Sequence, residues 1–196
     1  MTKTLLTKIP EKARQPIAAL LEKYPVQLIM VAKRRSKHGD FKRTAKGAYQ
    51  ITLNDNLNPY QLLLTLIHEM AHLLTYLQYR NVRPHGREWK QQFQQLMLPF
   101  LCPEIFPESL LPPLANYLKN PKASTGSDVV LTRALLGYNN TPEASYLFEV
   151  AEGSLFRYQK KTYQKGRKRR TRFECIELSS KRLYLFNQNA QITLIQ

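Results

Sequence analysis

The chain has 196 residues, enough for one substantial domain and a small second one, and its 43% apolar share is ordinary for a globular protein. No apolar run reaches the roughly 20 residues that span a bilayer, and the opening M-T-K-T-L-L-T-K-I-P lacks a long apolar signal core, so a cytoplasmic protein with no membrane partner is expected. The formal charge of +16 favours a polyanionic partner and sits on the flanks: residues 1–50 carry twelve Lys or Arg against three acids, residues 51–144 seven of each, and residues 145–196 eleven against four. Nucleic acid is the first candidate, and a solubilising basic surface is the plainer alternative. Cys102 and Cys175 are the only cysteines, which suits two small buried side chains, leaves room for one bridge at most and supplies no cysteine-built zinc module.

In chain order, residues 9–23 read as a helix after Pro10, kinked or interrupted at Pro16, with Ile17, Leu20 and Leu21 facing inward. Val26–Val31 and Ala48–Leu53 have strand character, and the basic residues 33–47 between them read as a loop or hairpin connection. His38 lies in that polar segment and is expected to face solvent, with nucleic-acid contact as its functional alternative. A short N-D-N-L-N-P connection then enters a helix that Asn58 can cap and whose first turn accommodates Pro59.

That helix carries L-L-L-T-L-I-H-E-M-A-H-L-L-T-Y-L-Q-Y over residues 62–79. A four-residue spacing puts the imidazoles of His68 and His72 on one face, about 40° apart, with Glu69 at about 100° from His68. Leu63, Leu66, Met70, Leu73 and Leu77 fall opposite, roughly 140° to 220° from His68, so the ligands look into a cleft while the helix anchors in the core. The alternative is a pair of satisfied core histidines. Against it, only four histidines occur in the chain, two of them flank a glutamate here, and a third, His85, follows thirteen residues after His72 in P-H-G-R-E-W. The expectation is one zinc per chain on His68, His72 and His85, with Glu69 as general base in peptide hydrolysis. Glu88 is the alternative third ligand, Gly86 would let the backbone pass close to the metal, and Tyr79 or Arg83 could approach from the turn to stabilise the oxyanion. Arg87–Leu98 reads as a second helix with Trp89, Phe93, Leu96 and Met97 inward, and Trp89 packed beneath His85 would orient that ligand.

Residues 99–121 are rich in Pro and Leu, with a short helix expected around Leu110–Leu118, and another is expected at Asp128–Leu136 before a boundary at residues 139–142. The expected organisation is a first domain at 1–122, a linker with a short helix at 123–144, and a small basic β-rich module at 145–196. In that module Y-L-F-E-V, S-L-F-R-Y, T-R-F-E-C-I-E-L, R-L-Y-L-F and Q-I-T-L-I read as short strands. The run at 160–172 is expected at a hairpin tip or strand edge, where Lys160, Lys161, Lys165, Arg167, Lys168, Arg169, Arg170 and Arg172 would hold phosphates. Phe156, Tyr158 or Tyr163 would stack with a base, ordinary β-core packing being the alternative role.

The H68-E-M-A-H72 motif followed by P-H85-G-R-E-W resembles the SprT-like metallopeptidases, a group related to the Spartan proteases that cleave proteins crosslinked to DNA, and the likeness covers most of residues 10–120. The resemblance implies an α+β, zincin-like domain, His68, His72 and His85 as zinc ligands, Glu69 as catalytic base, and proteolysis of protein or peptide substrates in association with single-stranded or double-stranded DNA. Many SprT-like chains end in a zinc ribbon. The tail here is similar in outline but lacks the four metal-binding cysteines, so a metal-free, ribbon-like module is expected. A reading from a different class is a nucleic-acid-binding zinc protein with a catalytically silent zincin fold, which leaves Glu69 without a purpose. A zinc ribonuclease is a further alternative that the helix motif favours less.

Overall fold

Helices open the chain in the computed structural model, which describes residues 2–34, 37–124, 126, 128–139 and 145–195. Helix α1 (Thr2–Lys8), a 3-10 turn at Glu11–Ala13 and α2 (Arg14–Lys23) bury Leu5, Ile9, Ala13 and Ile17 at successive four-residue steps, forming one continuous apolar line. The interruption expected at Pro16 lies elsewhere. Pro16 is the third residue of α2, where a missing N–H has no intrahelical acceptor to lose, and the chain breaks at Pro10 instead.

Strands β1 (Gln27–Val31), β2 (Gly39–Arg43) and β3 (Tyr49–Asn54) form a sheet of order β1-β3-β2, with β1 parallel and β2 antiparallel to β3. The segment expected as a basic loop or hairpin connection therefore contributes an edge strand. Arg34 folds its start back onto β3: Nε donates to Asn54 Oδ1 and Nη1 to Thr52 Oγ1, both at 2.8 Å, while Asn54 Nδ2 donates to the Lys37 carbonyl at 2.9 Å. Asn54 is buried, so these bonds satisfy a polar group withdrawn from water, and at least one cation of the basic segment is structural.

Asn58 caps α3 (Pro59–Gln78), its side chain accepting the Gln61 N–H at 2.9 Å, with Pro59 at the first position. Burial is wider than the single stripe expected. Leu62, Leu64, Ile67 and Ala71 are buried along with Leu63, Leu66, Met70 and Leu73, whereas Leu77, near the end, is 47% exposed. The helix packs against β2 and β3 on one side and α4 (Arg87–Met97) on another, so more than one face is covered. With about 1.5–3 kcal/mol for each large side chain taken out of water, this helix is a principal source of the unit's stability.

After α4 come a 3-10 turn at Leu98–Phe100, α5 (Leu111–Lys119) and α6 (Val129–Leu136). Helix α6 falls within the expected linker, yet Leu131 and Leu135 are buried in the same core as α3. Asn58, which caps α3, also donates from Nδ2 to the Leu135 carbonyl and to Asn139 Oδ1, each at 2.8 Å, so one side chain fixes the start of α3 and the end of α6. The chain divides into two units accordingly, Met1–Asn139 and Asn140–Gln196.

The second unit is an antiparallel sheet of β4 (Ser145–Tyr146), β5 (Leu155–Tyr158), β6 (Lys161–Arg169), β7 (Arg172–Glu177), β8 (Leu183–Asn187) and β9 (Gln191–Leu194), in the order β4-β9-β5-β6-β7-β8. Leu147, Phe156, Tyr163, Cys175 and Ile192 form its core. The basic run is itself strand β6 and the turn into β7. Between Lys165 and Lys168 the β6–β7 register shifts, and at Gly166 a Cβ would stand 2.9 Å from the Glu174 carbonyl oxygen, so the bulge requires glycine. Y-L-F-E-V is strand only at Ser145–Tyr146, after which a turn carries Leu147 into the core. Cys102 is half-buried rather than buried; Cys175 is fully buried, and both are free. Burial pushes the Cys175 thiol up to about 11, which makes it a small apolar filler. Mixed helix and strand place the protein in the α+β class, and no helix among the described residues is long and apolar enough to cross a membrane.

Candidate metal centre

Three imidazoles converge on one point. His68 and His72 project from α3 one turn apart, and His85 reaches them from the turn before α4, with Nε2 atoms 2.9 Å apart for His72–His85 and 3.2 Å for His85–His68. Among the described residues these three form the one group of His, Cys, Asp and Glu side chains arranged to hold a metal, and Glu88 is not part of it. Tetrahedral zinc with Zn–N bonds of about 2.0–2.1 Å requires nitrogen separations of about 3.3 Å, so the donor set fits that ion. Three nitrogen donors facing one another are also a poor arrangement without a cation or a proton between them.

His85 takes its place through a backbone that sequence pattern does not announce. Its φ is +58°, a left-handed conformation unusual for a residue with a Cβ. The next residue explains the turn: the Gly86 N–H donates to the Arg83 carbonyl at 2.9 Å, and a Cβ on Gly86 would stand 2.9 Å from that same oxygen. Gly86 is therefore needed for the tight turn, a different reason from the close passage to a metal expected from sequence. Trp89, 1% exposed, floors the site with its ring centroid 4.6 Å from His68, 5.3 Å from His72 and 4.6 Å from His85, and it stacks on Phe93 at 5.1 Å. This is the expected packing of Trp89 under His85, extended to all three rings.

Burial controls the protonation of the site. It lowers His68 to about 3, helped by the charges of His72 and His85, and lowers His72 to about 4, helped by His85 and partly opposed by Asp40; His85 is lowered by burial as well. The three rings are neutral at pH 7, so a metal need not displace protons to reach them. Folded values below 6.5 mean that, without metal, the stability tied to neutral histidines is complete above pH 6.5 and is lost as the pH falls through about 4 and then 3.

Glu69 sits beside the histidines, 6% exposed, with its carboxyl raised to about 7 by burial first and by the charge of Asp40 second, against the opposing pull of the Phe41 N–H, Arg34 and Lys37. Strand β2 supplies the closest wall. A Cβ on Gly39 would stand 2.7 Å from Glu69 Oε1 and 2.8 Å from Thr65 Cγ2, so glycine alone permits this approach. Gly39, Asp40, Phe41 and Arg34 thus shape the environment of Glu69, and sequence reading passed over all four in these roles. The alternation of Gly39 and Phe41 was a usable strand signal, but the surrounding lysines and arginines masked it. Gly39→Ala should push Glu69 out of place by around an ångström and reduce any hydrolysis that depends on it by about 100-fold while zinc content is unchanged. Matched turnover and metal assays check this, and equal turnover rejects the positioning role.

The remaining candidate residues separate into two groups. His38 does not face solvent: it is half-buried, its Nδ1 lies 3.4 Å from Gln61 Nε2, and burial together with Lys33 and Arg34 lowers its pKa. Tyr79 ends α3 as its half-buried C-cap and Arg83 is exposed in the turn, both on the segment leading to His85, without a hydrogen bond to the histidines or Glu69 among the described residues. In the second unit, Lys165 is removed from the basic surface. It is 5% exposed, its Nζ donates to the Val150 carbonyl at 2.5 Å and lies 3.9 Å from the Phe173 ring centroid. Lys161 pairs with Glu177 at 2.9 Å, and Arg167 and Arg169 share Glu174 at 3.0 and 3.3 Å. Lys160, Lys168, Arg170 and Arg172 are exposed, and Arg169, Arg170 and Arg172 line an open cavity of about 470 Å³ with Thr171 and Leu185. Phe156 and Tyr163 are core residues, which withdraws them as base-stacking platforms.

Comparison with known proteins finds a likeness over the part of the chain that holds this site. Residues 18–105, which contain all three histidines and Glu69, match the SprT-like family. Protein SprT of Glaesserella parasuis serovar 5 (strain SH0165) is 50% identical over 30 residues, covering 15% of this chain and 19% of that protein. Protein SprT of Vibrio parahaemolyticus serotype O3:K6 is 53% identical over 45 residues (21% and 27%), and that of Yersinia pestis 38% identical over 61 residues (27% and 36%). The chain thus spans between about a fifth and about a third of the length of these curated relatives. No solved structure matches it. The family match covers the first sheet, α3 and α4, so residues 18–105 form a domain of SprT-like type.

Proposed function

We propose that the protein is a zinc-dependent metallopeptidase with a zincin-like first unit, acting in the cytoplasm on DNA-associated or DNA-crosslinked proteins. The observation that carries this reading is the convergence of His68, His72 and His85 Nε2 beside the buried Glu69. A zinc ion on the three histidines would supply Lewis acidity toward a peptide carbonyl and toward water. Glu69 takes a proton from the attacking water and returns it to the leaving amine, the general base and acid role its buried carboxyl beside the three histidines is placed to serve. Trp89 holds the three rings in register and keeps water from beneath them. Tyr79 or Arg83, on the segment that leads to His85, stabilises the oxyanion.

The second unit, a ribbon-like sheet without metal-binding cysteines, would hold nucleic acid through the exposed Lys168, Arg170 and Arg172 at its β6–β7 tip, with little base preference because phosphate is common to every sequence. Changing these three together to Ser should weaken DNA binding and flatten its salt dependence while zinc content stays the same. A titration across several salt concentrations, with circular dichroism to verify the sheet, checks this, and an unchanged salt slope rejects the patch. The function itself is tested by turnover of unfolded protein substrates by zinc-loaded protein, with and without single-stranded or double-stranded DNA. One zinc per chain, loss of turnover on chelation and recovery on zinc return are expected. DNA binding with no turnover under any condition would instead select the alternative, a nucleic-acid-binding zinc protein with a silent zincin fold.

A further inference from the structure

Immediately beside His85 lies an open cavity of about 550 Å³, walled by α4 and the end of α5. Arg87, Lys90 and Lys119 contribute three positive charges to its lining, Gln91 and Gln94 contribute amides, and no carboxylate is among the lining residues. Its two walls are tied together: Lys90 Nζ donates to Asn120 Oδ1 at 2.6 Å, and Gln94 Nε2 donates to the Leu118 carbonyl at 2.7 Å. Among the described residues none of the three cations is in an ion pair, whereas Lys161, Arg167 and Arg169 of the second unit all are. A groove of one sign, fixed by hydrogen bonds and open to solvent, is suited to an anion.

We infer that this groove is an acidic-residue subsite, which receives a glutamate or aspartate side chain of the peptide whose scissile bond lies at the metal centre. The inference rests on the peptidase reading, because only a chain passing the three histidines brings a side chain alongside His85. Arg87 presents a planar guanidinium that matches a carboxylate with two parallel hydrogen bonds, and Lys90 keeps two N–H donors beyond the one given to Asn120. A peptide fits better than a nucleic acid strand because the lining holds no Phe, Tyr or Trp to stack a base, its one ring, His85, being turned to the other two histidines, and the cavity has room for one or two side chains rather than a run of phosphates. Glu88, on the same helix, is absent from the lining, although its Oε2 would stand 3.3 Å from a Cβ on Gly86.

The experiment compares fluorescein-labelled Ala-Ala-Glu-Glu-Ala-Ala with its Gln-Gln counterpart and with a twelve-residue oligothymidylate. Binding to the zinc-loaded full chain carrying Glu69→Gln is read by fluorescence anisotropy, so that no probe is consumed, and wild-type kcat/KM is measured for both peptides. The glutamate peptide should bind roughly tenfold more tightly than the glutamine peptide at low salt, and Arg87→Gln/Lys90→Gln/Lys119→Gln should abolish the difference while Arg87→Lys/Lys90→Arg largely retains it. Thermal melts of both variants establish that they are folded. Equal affinity for the two peptides, or a preference that survives loss of the three charges, overturns the inference. So does an oligothymidylate affinity that falls in the triple variant when the peptides do not differ, since the groove then serves phosphate. Hydrolysis of both peptides at equal kcat/KM keeps the peptidase and removes the subsite; charge-dependent peptide preference in binding with no hydrolysis keeps the groove as an acidic-peptide binding site but overturns the peptidase reading and, with it, the groove's role as a substrate subsite.

Discussion

Glu69→Gln is expected to leave one zinc per chain in place and to lower peptide turnover by about 100- to 10,000-fold, the usual contribution of a general acid–base group. Glutamine keeps the size and the acceptor oxygen but cannot take a proton, so the loss should fall on kcat rather than on KM. The same substitution has a second signature in the metal-free protein. The folded carboxyl at about 7 lies above its unfolded value of 4.5, so the wild type gains stability from holding it protonated below pH 4.5 and loses that advantage as the pH rises through 7. A glutamine has no such pH dependence. Relative to the variant, the metal-free wild type should become less stable across this window, and urea unfolding at several pH values measures it. Equal turnover by matched zinc-loaded preparations would remove Glu69 from the chemistry.

Trp89→Ala should be the most damaging single truncation outside the ligands. The side chain is 1% exposed, touches all three histidine rings and stacks on Phe93, so its removal opens a cavity beneath the site and is expected to cost about 3–5 kcal/mol of stability. Zinc affinity should fall by about 10- to 100-fold because the rings lose the surface that holds their orientation. Trp89→Phe is the informative control: the indole Nε1 is buried without a hydrogen-bond partner, so phenylalanine loses area but no bond. Urea unfolding without metal and zinc competition with a chromophoric chelator separate the two effects. An alanine variant with unaltered zinc affinity would reduce Trp89 to ordinary core.

Some of this was legible along the chain because it depends on neighbours a few residues apart. The cap at Asn58, the start of α3 at Pro59, the shared face of His68 and His72 beside Glu69, the helix from Arg87, and strands β5, β7, β8 and β9 of the tail all follow from periods and end signals contained in a single element. The three-histidine constellation was readable for the same reason, since two ligands lie one helical turn apart and the third follows after a turn that Gly86 marks.

What the sequence by itself determined, then, was most of the elements, β2 and β6 excepted, and which side chains carry donor atoms. The tertiary structure alone decided who stands next to whom. Residue composition marked 33–47 as basic and exposed, yet Arg34 is spent on Asn54 and Thr52, His38 is half-buried, and Gly39 presses β2 against Glu69 because that strand packs along α3. Lys165 looked like its basic neighbours but belongs to the inward side of β6, where it reaches Val150 and Phe173, and α6 looked like linker until Asn58 and the core claimed it. Each of these outcomes depends on contacts between residues distant in sequence, whose free energy comes from burial and from satisfying buried polar groups. Local periodicity carries no information about those partners, so the protonation state of Glu69 and the accessibility of each lysine become defined only when the separate elements pack.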